Sequence, residues 1–459
     1  MRIARNTKIL IFILLLVVNI AVMPAFAINE NKEIKVDNND LNKEKVVSKI
    51  SFDEVLKLSK EHAYDLKMAD YEILISKQDV RLAKSEYFPK LNFMAGMEYT
   101  KNFRDVRETT VMSIGDAFIN PYTRFQSVLG ITVAYNLFDF GVRSGNLKIA
   151  KEEVNLKELE LKQKLQEMNL TLLDAYTKVL ITTKQIIENQ KILEIQEKSL
   201  EIQERLFNAK VISQMDFNKA KVDITKTKAK ISELKGIREE SLNWLTFYTG
   251  VKFDSENLKI EEIKKDNFDV LAFTDYTKSL VWKVYDNKIK KKELEVFVAK
   301  RNYLPKMNLY SRYYLYGADQ SNIGKSLGIE PSNFSVGASL NMPIFDGFRN
   351  SANVQKNVLE LKQMQIERDK AIAELMAKLA NMRSNLMYLD EQITQNNIAI
   401  NELSAKEKAL HRLASQRVIS PIEENEAKIE LINEKIELEK NSITNISIIR
   451  GIEILTEEY

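Results

Sequence analysis

Apolar positions along the chain fall into two periods. In Leu91–Phe103 the odd positions carry Leu91, Phe93, Ala95, Met97, Tyr99 and Phe103, while the even ones include Asn92, Glu98, Thr100 and Asn102. In Phe125–Leu137 the apolar face is Phe125, Leu129, Ile131, Val133, Tyr135 and Leu137, opposite Gln126, Gly130, Thr132 and Asn136. Period two with one apolar face predicts strands. Both segments exceed the usual strand and match the ~9–11 residues that a tilted strand needs to cross a bilayer. Elsewhere the period is helical. Ser51-x-x-Glu54 is a capping box opening a helix that runs to about Tyr87, where Phe88-Pro89 stops it. Between Gly145 and Gly236 there is no Gly, and between Pro121 and Pro305 no Pro. A helix from Gly141 to Ala209 would be about 100 Å long. Leu165, Leu172, Val179, Ile186, Leu193, Leu200 and Phe207 recur in it every seven residues. A later helix carries Ile372, Leu379, Leu386, Ile393 and Ile400, with a partner seam Leu375, Met382, Leu389, Asn396, Leu403 and Leu410. Alternate spacings of three and four are coiled-coil packing.

The programme is written twice. Tyr87-Phe88-Pro89-Lys90-Leu91-Asn92 recurs as Tyr303-Leu304-Pro305-Lys306-Met307-Asn308. Phe138-Asp139-Phe140-Gly141-Val142-Arg143 recurs as Phe345-Asp346-Gly347-Phe348-Arg349, read as one residue shorter. Val211-Ile212-Ser213 recurs at Val418-Ile419-Ser420. The offset is 216 at the first match and 207 at the last. A two-fold duplication follows. Residues 51–250 form the first repeat: a helix, strands at about 90–103 and 124–138, and a helical hairpin at 141–249. Residues 251–267 are a polar linker. Residues 268–459 form the second repeat, with strands at about 306–317 and 333–344 and a hairpin at 347–458. Ser420-Pro421-Ile422-Glu423 and Ser213-Gln214-Met215-Asp216 start the return helices with an N-cap Ser. The fold class is mainly α with membrane β. Asn189 and Asn396 superpose on the seam and read either as register-setting residues or as a wet patch.

Composition sharpens this picture. The 459 residues hold 13 Gly and 7 Pro, against roughly 32 and 23 at average usage. There is no Cys, which removes disulfides, thiolate catalysis and lipid attachment to an N-terminal Cys. His62 and His411 lack ligand spacing. The first is expected on a helix surface and the second near a hairpin turn. Trp244 and Trp282 are expected as packing residues. The formal charge of +3 resides in Arg2, Arg5 and Lys8 of the leader. The remainder balances at 65 acids and 65 bases, so no nucleic-acid partner is indicated.

Those bases, the apolar run Ile9–Ala21 and Ala25-Phe26-Ala27 predict a signal peptide at 1–27, the alternative being an uncleaved anchor helix. Residues 28–50 read as a disordered polar segment. No later run has ~20 apolar residues, so a membrane would be crossed as β structure. Four strands cannot close a barrel, because the smallest need about eight. Open edges are not tolerated in lipid. Several chains must therefore share one barrel.

The ordered pattern, helix–Pro–strand–strand–Phe-Asp-x-Gly–helix–turn–helix occurring twice, resembles the TolC family of outer-membrane ducts. The resemblance implies a homotrimer with twelve strands in a shared barrel and a periplasmic tunnel built from the hairpins. It also implies docking to a periplasmic adaptor (membrane fusion) protein and an inner-membrane pump, proton-driven or ABC, and it implies no cofactor or metal. The hairpin tips that would meet the adaptor are Lys210, Val211, Ile212 and Ser213, and Arg417, Val418, Ile419 and Ser420. Lys210 and Arg417 stand where the family often has Gly. Glu423 and Glu426, with Asp216 in the first half, match acids that narrow the entrance in some members. Acids there also stabilise any helix N-terminus. Tyr99, Phe103, Tyr122, Phe125, Tyr135, Phe138, Tyr310, Tyr313, Tyr314, Tyr316 and Phe334 read either as interfacial girdles or as ordinary strand formers.

The resulting expectation is a passive outer-membrane exit duct for efflux or type I secretion. The sequence holds no Gly-x-x-x-x-Gly-Lys loop for ATP. The competing class is an exported coiled-coil stalk or adhesin. An adaptor would have one hairpin and Gly-rich β domains. A hydrolase has no Ser/His/Asp or paired-carboxylate pattern to support it.

Overall fold

The computed structural model describes residues 46–47, 49–101, 112–114, 117–119, 124–255, 258–264, 269 and 275–457. The leader, nearly all of the polar segment 28–50, Phe103, Tyr122, most of the loop before the second strand and part of the linker lie outside these residues.

Ser51 opens α1 (Phe52–His62) with both bonds of its capping box: Glu54 N–H to Ser51 Oγ at 3.3 Å and Ser51 N–H to Glu54 Oε2 at 3.0 Å. The single helix expected to Tyr87 is broken at Ala63. Its N–H closes α1 on the Ser59 carbonyl and its carbonyl starts α2 (Tyr64–Ser85) by accepting from Lys67. The break therefore leaves no backbone group of Ala63 unpaired, and neither Gly nor Pro announces it. It lets Leu66 share a core with Phe52 and Val55.

There follow β1 (Lys90–Tyr99), β2 (Phe125–Phe138), α3 (Val142–Asn208), α4 (Gln214–Thr249), α5 (Leu280–Arg301), β3 (Lys306–Asp319), β4 (Glu330–Asn341), α6 (Arg349–Ser415) and α7 (Pro421–Thr456). Helices α3 and α6 have 67 residues each, and α4 and α7 have 36, all at an offset of 207. Helices α2 and α5 have 22 residues each, at an offset of 216. The strand-to-helix corner corrects one expectation, because its two copies have equal length. Phe140 (φ 53°) and Gly141 (φ 92°) are matched by Gly347 (φ 66°) and Phe348 (φ 66°). Two successive left-handed residues make the turn, and the halves exchange which slot holds Gly.

The strands form one antiparallel sheet in the order β1–β2–β3–β4. The β2–β3 pairing joins the two halves. Register aligns the alternation of all four strands. Phe93, Ile131, Tyr313 and Phe334 form one row across the sheet, and Asn92, Thr132, Arg312 and Ser335 form the next. Successive rows point to opposite faces, so one face is mainly apolar, interrupted by Ser127, Ser311 and Asp319, and the other carries most of the polar residues together with Tyr310, Tyr314 and Tyr316. Tyr314 and Tyr310 lie over Gly130 and Gly337 on neighbouring strands. Those rings shield backbone that a Gly leaves bare.

Helix α3 is central. It packs on α2, α4, α5 and α7, while α6 packs on α5 and α7. The seam residues Leu172, Val179 and Ile186 of α3, and Leu375, Leu379 and Leu386 of α6, are buried. Tyr176 donates from its hydroxyl to the Glu261 carbonyl at 2.7 Å and tethers the parallel pair Lys49–Ile50 and Lys259–Ile260 to that core. Asn396 donates to Glu434 at 2.5 Å and accepts from Asn441, both on α7, whereas Asn189 donates to the Gln185 carbonyl of its own helix. The two seam Asn therefore differ, and only Asn396 ties two helices together.

Candidate functional site: sheet faces, open edges and hairpin tips

Both outer strands of the sheet have a free edge. On β1 every residue is exposed, and Phe334, Val336 and Leu340 of β4 are among the most exposed apolar residues of the molecule. Helix α2 leads directly into β1 and α6 follows β4, and the helices touch in the same order as the strands: α2 and α4 on α3, α3 on α5 and α7, and these on α6. Each side carries exposed apolar residues at helical spacing: Tyr64, Met68, Tyr71, Ile75 and Leu82 on α2, and Leu359, Ile366 and Met387 on α6. Two such faces on a monomer call for a partner.

At the tips, both hairpins close by the same local chemistry. Val211 N–H donates to the Leu206 carbonyl and Lys210 N–H to the Phe207 carbonyl. Val418 and Arg417 repeat these bonds with Leu413 and Ala414. This is the Schellman pattern, with Lys210 (φ 61°) and Arg417 (φ 62°) in the left-handed slot. Both cations are exposed, as are Val211 and Val418, while Ile212 and Ile419 are half-buried. Ser213 accepts from Asp216 N–H at 3.1 Å and donates to its carboxylate at 2.7 Å. Ser420 caps α7 by accepting from Ile422 N–H at 3.2 Å.

The acids differ in what they do. Asp216 is part of its cap. Glu423 and Glu426 are exposed, one turn apart on α7, and neither side chain bonds a described residue. The acid between them was not singled out by spacing. Glu424 points back into the hairpin, accepts from Lys428 and lies 2.8 Å from His411 Nδ1 on α6. The Lys428 ammonium holds its carboxyl below the usual carboxylate range. At the matching place in the first hairpin Phe207 stacks on Phe217 at 5.0 Å, with Lys221 over the Phe217 ring.

No helix among the described residues is long and apolar enough to cross a membrane. None of their His, Asp and Glu side chains cluster to hold a metal ion. A profile of the outer membrane efflux proteins matches residues 55–251 and 288–417, which is most of the chain. The chain belongs to the outer membrane efflux protein family. Its backbone is similar to that of the Campylobacter jejuni CmeC outer membrane channel at 14% identity, covering 89% of this chain and 86% of that one with a TM-score of 0.73. The Neisseria gonorrhoeae MtrE outer membrane channel gives 13%, 88% and 88%, and 0.71. VceC of Vibrio cholerae gives 12%, 88% and 97%, and 0.70. No curated protein matches the sequence.

In an outer membrane efflux protein the apolar face of the sheet is the lipid face. The register then sorts the candidate girdle residues. Tyr99, Phe125, Tyr135, Tyr313 and Phe334 lie on the apolar face, and Tyr99–Phe125 and Tyr313–Phe334 pack as cross-strand pairs at 5.0 and 6.5 Å. Tyr310, Tyr314 and Tyr316 lie on the polar face with Arg312.

A buried ion pair fixes the corner between the sheet and the long helix of this efflux protein. Asp139 accepts from Arg143 Nε at 2.7 Å and from the N–H groups of Gly141 and Arg143. Arg143 also donates to the Glu86 and Leu137 carbonyls and lies over the Tyr87 ring. In the second half Asn350 replaces Arg143, and Asp346 accepts its N–H at 3.0 Å. The Phe-Asp motif marks the turn, and Arg143, four residues after Asp139 in the same motif, is its ion-pair partner. Trp282 is half-buried under Arg368, at 4.7 Å, whereas Trp244 is 51% exposed and packs on one side only, against Phe247 and Tyr248. His62 is half-buried, packed edge-on to Tyr64 and against Gly250.

Proposed function

We propose that three copies close edge to edge, β4 against β1 and α6 against α2 and α4 of the next copy, to form a twelve-stranded barrel on a helical tunnel. The tunnel is the passive exit of a tripartite efflux or type I secretion system. The observation that supports this most is the coincidence of open edges: unpaired strands and uncovered apolar helix faces occur on the same two sides of the chain. Open strand edges are untenable in lipid, and twelve strands is an ordinary barrel size. A stalk or adhesin would leave the apolar sheet face without a role.

In this reading the hairpin tips, with Lys210 and Arg417 outermost, meet a periplasmic adaptor, and an inner-membrane pump supplies the energy. Glu423 and Glu426 of each copy form a ring of carboxylates that narrows the entrance and favours cations, while Asp216 serves mainly to hold its helix start. The test is planar-bilayer recording of the purified assembly. Wild-type channels should be cation-selective, and Glu423→Gln with Glu426→Gln should reduce that selectivity. Unchanged selectivity would remove the two acids from the entrance.

A further inference from the structure

The duplication makes the contact inside one chain a template for the contact between copies. Helix α3 meets α7 within the chain. At the offset of 207, the matching pair is α6 with α4, which one chain does not bring together but neighbouring copies would. The residues at these matched places have changed size in opposite directions. Buried Gly451 lies where an added Cβ would meet Met382 of α6 at 3.0 Å and Leu173 of α3 at 3.7 Å. The matching residues are Trp244 for Gly451 and Ala380 for Leu173. Gln166 donates to the Ile454 carbonyl at 2.8 Å. Its counterpart is Ala373, and that of Ile454 is Phe247. On α4 the small-to-large changes stand exposed as a joined aromatic pair, Trp244 and Phe247, with ring centroids 6.0 Å apart. On α6 the large-to-small changes leave two exposed Ala one heptad apart.

The contact of α3 with α5 gives a third pair. Asn287 donates to Glu152 at 2.8 Å. The counterparts are Tyr71, at the offset of 216, and Leu359. A polar pair covered inside the chain maps onto an apolar pair exposed outside it, with Leu359 64% and Tyr71 43% accessible.

We infer that the surface between copies repeats the α3 packing in register, with Trp244 and Phe247 of one copy seated on Ala380 and Ala373 of the next. The inference rests on the edge-to-edge assembly proposed above and specifies its partner as a second copy in one register. The exchange of large for small also sets specificity. Trp244 cannot enter the place of Gly451 beside Leu173, so α4 is barred from the internal slot and directed outward. Buried aromatic anchors of this kind carry much of an interface.

The chain has no Cys, so paired thiols report contacts without background. Trp244→Cys with Ala380→Cys in one chain, bridged in membranes by a short bis-thiol reagent, should give a covalent ladder up to the full assembly. Trp244→Cys with Leu359→Cys should give none, because those sites lie about 30 Å apart along the helix. In the complementary test, Trp244→Gly and Ala380→Leu should each lower the oligomer surviving in detergent about tenfold. The double variant, which rebuilds the Gly451–Leu173 pair, should recover it. An oligomer that bridges at the 244/359 pair, or that forms without bridging at 244/380, overturns the register while leaving edge-to-edge assembly in place. A wild-type protein that stays monomeric in membranes overturns the assembly itself.

Discussion

Lys210 and Arg417 hold a left-handed backbone that Gly adopts without strain. For an L-residue this conformation costs roughly 1–2 kcal/mol, partly offset by the smaller unfolded-state entropy of a non-Gly residue. Two such residues at matching positions suggest that the cations serve the surface they project into. Lys210→Gly or Arg417→Gly should stabilise its hairpin by about 0.5–1 kcal/mol, seen as slower hydrogen exchange of the tip amides, and should weaken adaptor docking. The second tip is also built to respond to acid. Glu424 has its pKa lowered by Lys428 and by His411. A lowered carboxyl pKa contributes stability that is complete above the unfolded value near 4.5 and is lost as pH falls through the folded value. Melting temperatures measured from pH 7 down to pH 3 should fall more for wild type than for Glu424→Gln. The first tip places the stacked rings of Phe207 and Phe217 at that position instead of an acid.

At the scale of elements, the helices and strands were largely legible because their periods differ and each period has a physical cause. The heptad seams fell on buried or half-buried positions, and the two alternating faces of each strand were readable before any pairing was known. What periodicity could not supply was register between elements. Only the pairing of Phe93, Ile131, Tyr313 and Phe334 in one row shows that four separate apolar faces are one surface. The break at Ala63 was hidden for a related reason. It satisfies its backbone bonds and is dictated by tertiary packing, not by Gly or Pro. Glu424 is not distinguished from Glu423 and Glu426 by spacing, because the contact that turns it into the hairpin, His411, lies on another helix. Asp139 and Arg143 make the clearest prediction at this scale. Both are nearly buried, and removing one member of such a pair leaves the other charge uncompensated. Asp139→Ala should cost about 3–5 kcal/mol, read as early heat dissociation of the detergent-solubilised assembly. Asp346→Ala, which loses only a helix-start bond, should cost about 1 kcal/mol.

For the whole molecule, the scarcity of Gly and Pro has become a division of labour. Two hairpins with helices of 67 and 36 residues each form a wall. Four strands with one mainly apolar face form a membrane segment that no helix among the described residues provides. Several features that are costly for an isolated chain lie at its outer strands and outer helices: free strand edges, the α2 stripe, the α6 stripe, and Trp244 with Phe247. In the proposed assembly such a chain is one sector of a tube, and its stability as a monomer should be poor. The most direct test is native mass spectrometry of the protein released from lipid nanodiscs. The account predicts a particle of three copies, with little monomer at concentrations where the assembly is intact. A folded monomer in lipid, or a particle with another number of copies, would contradict it.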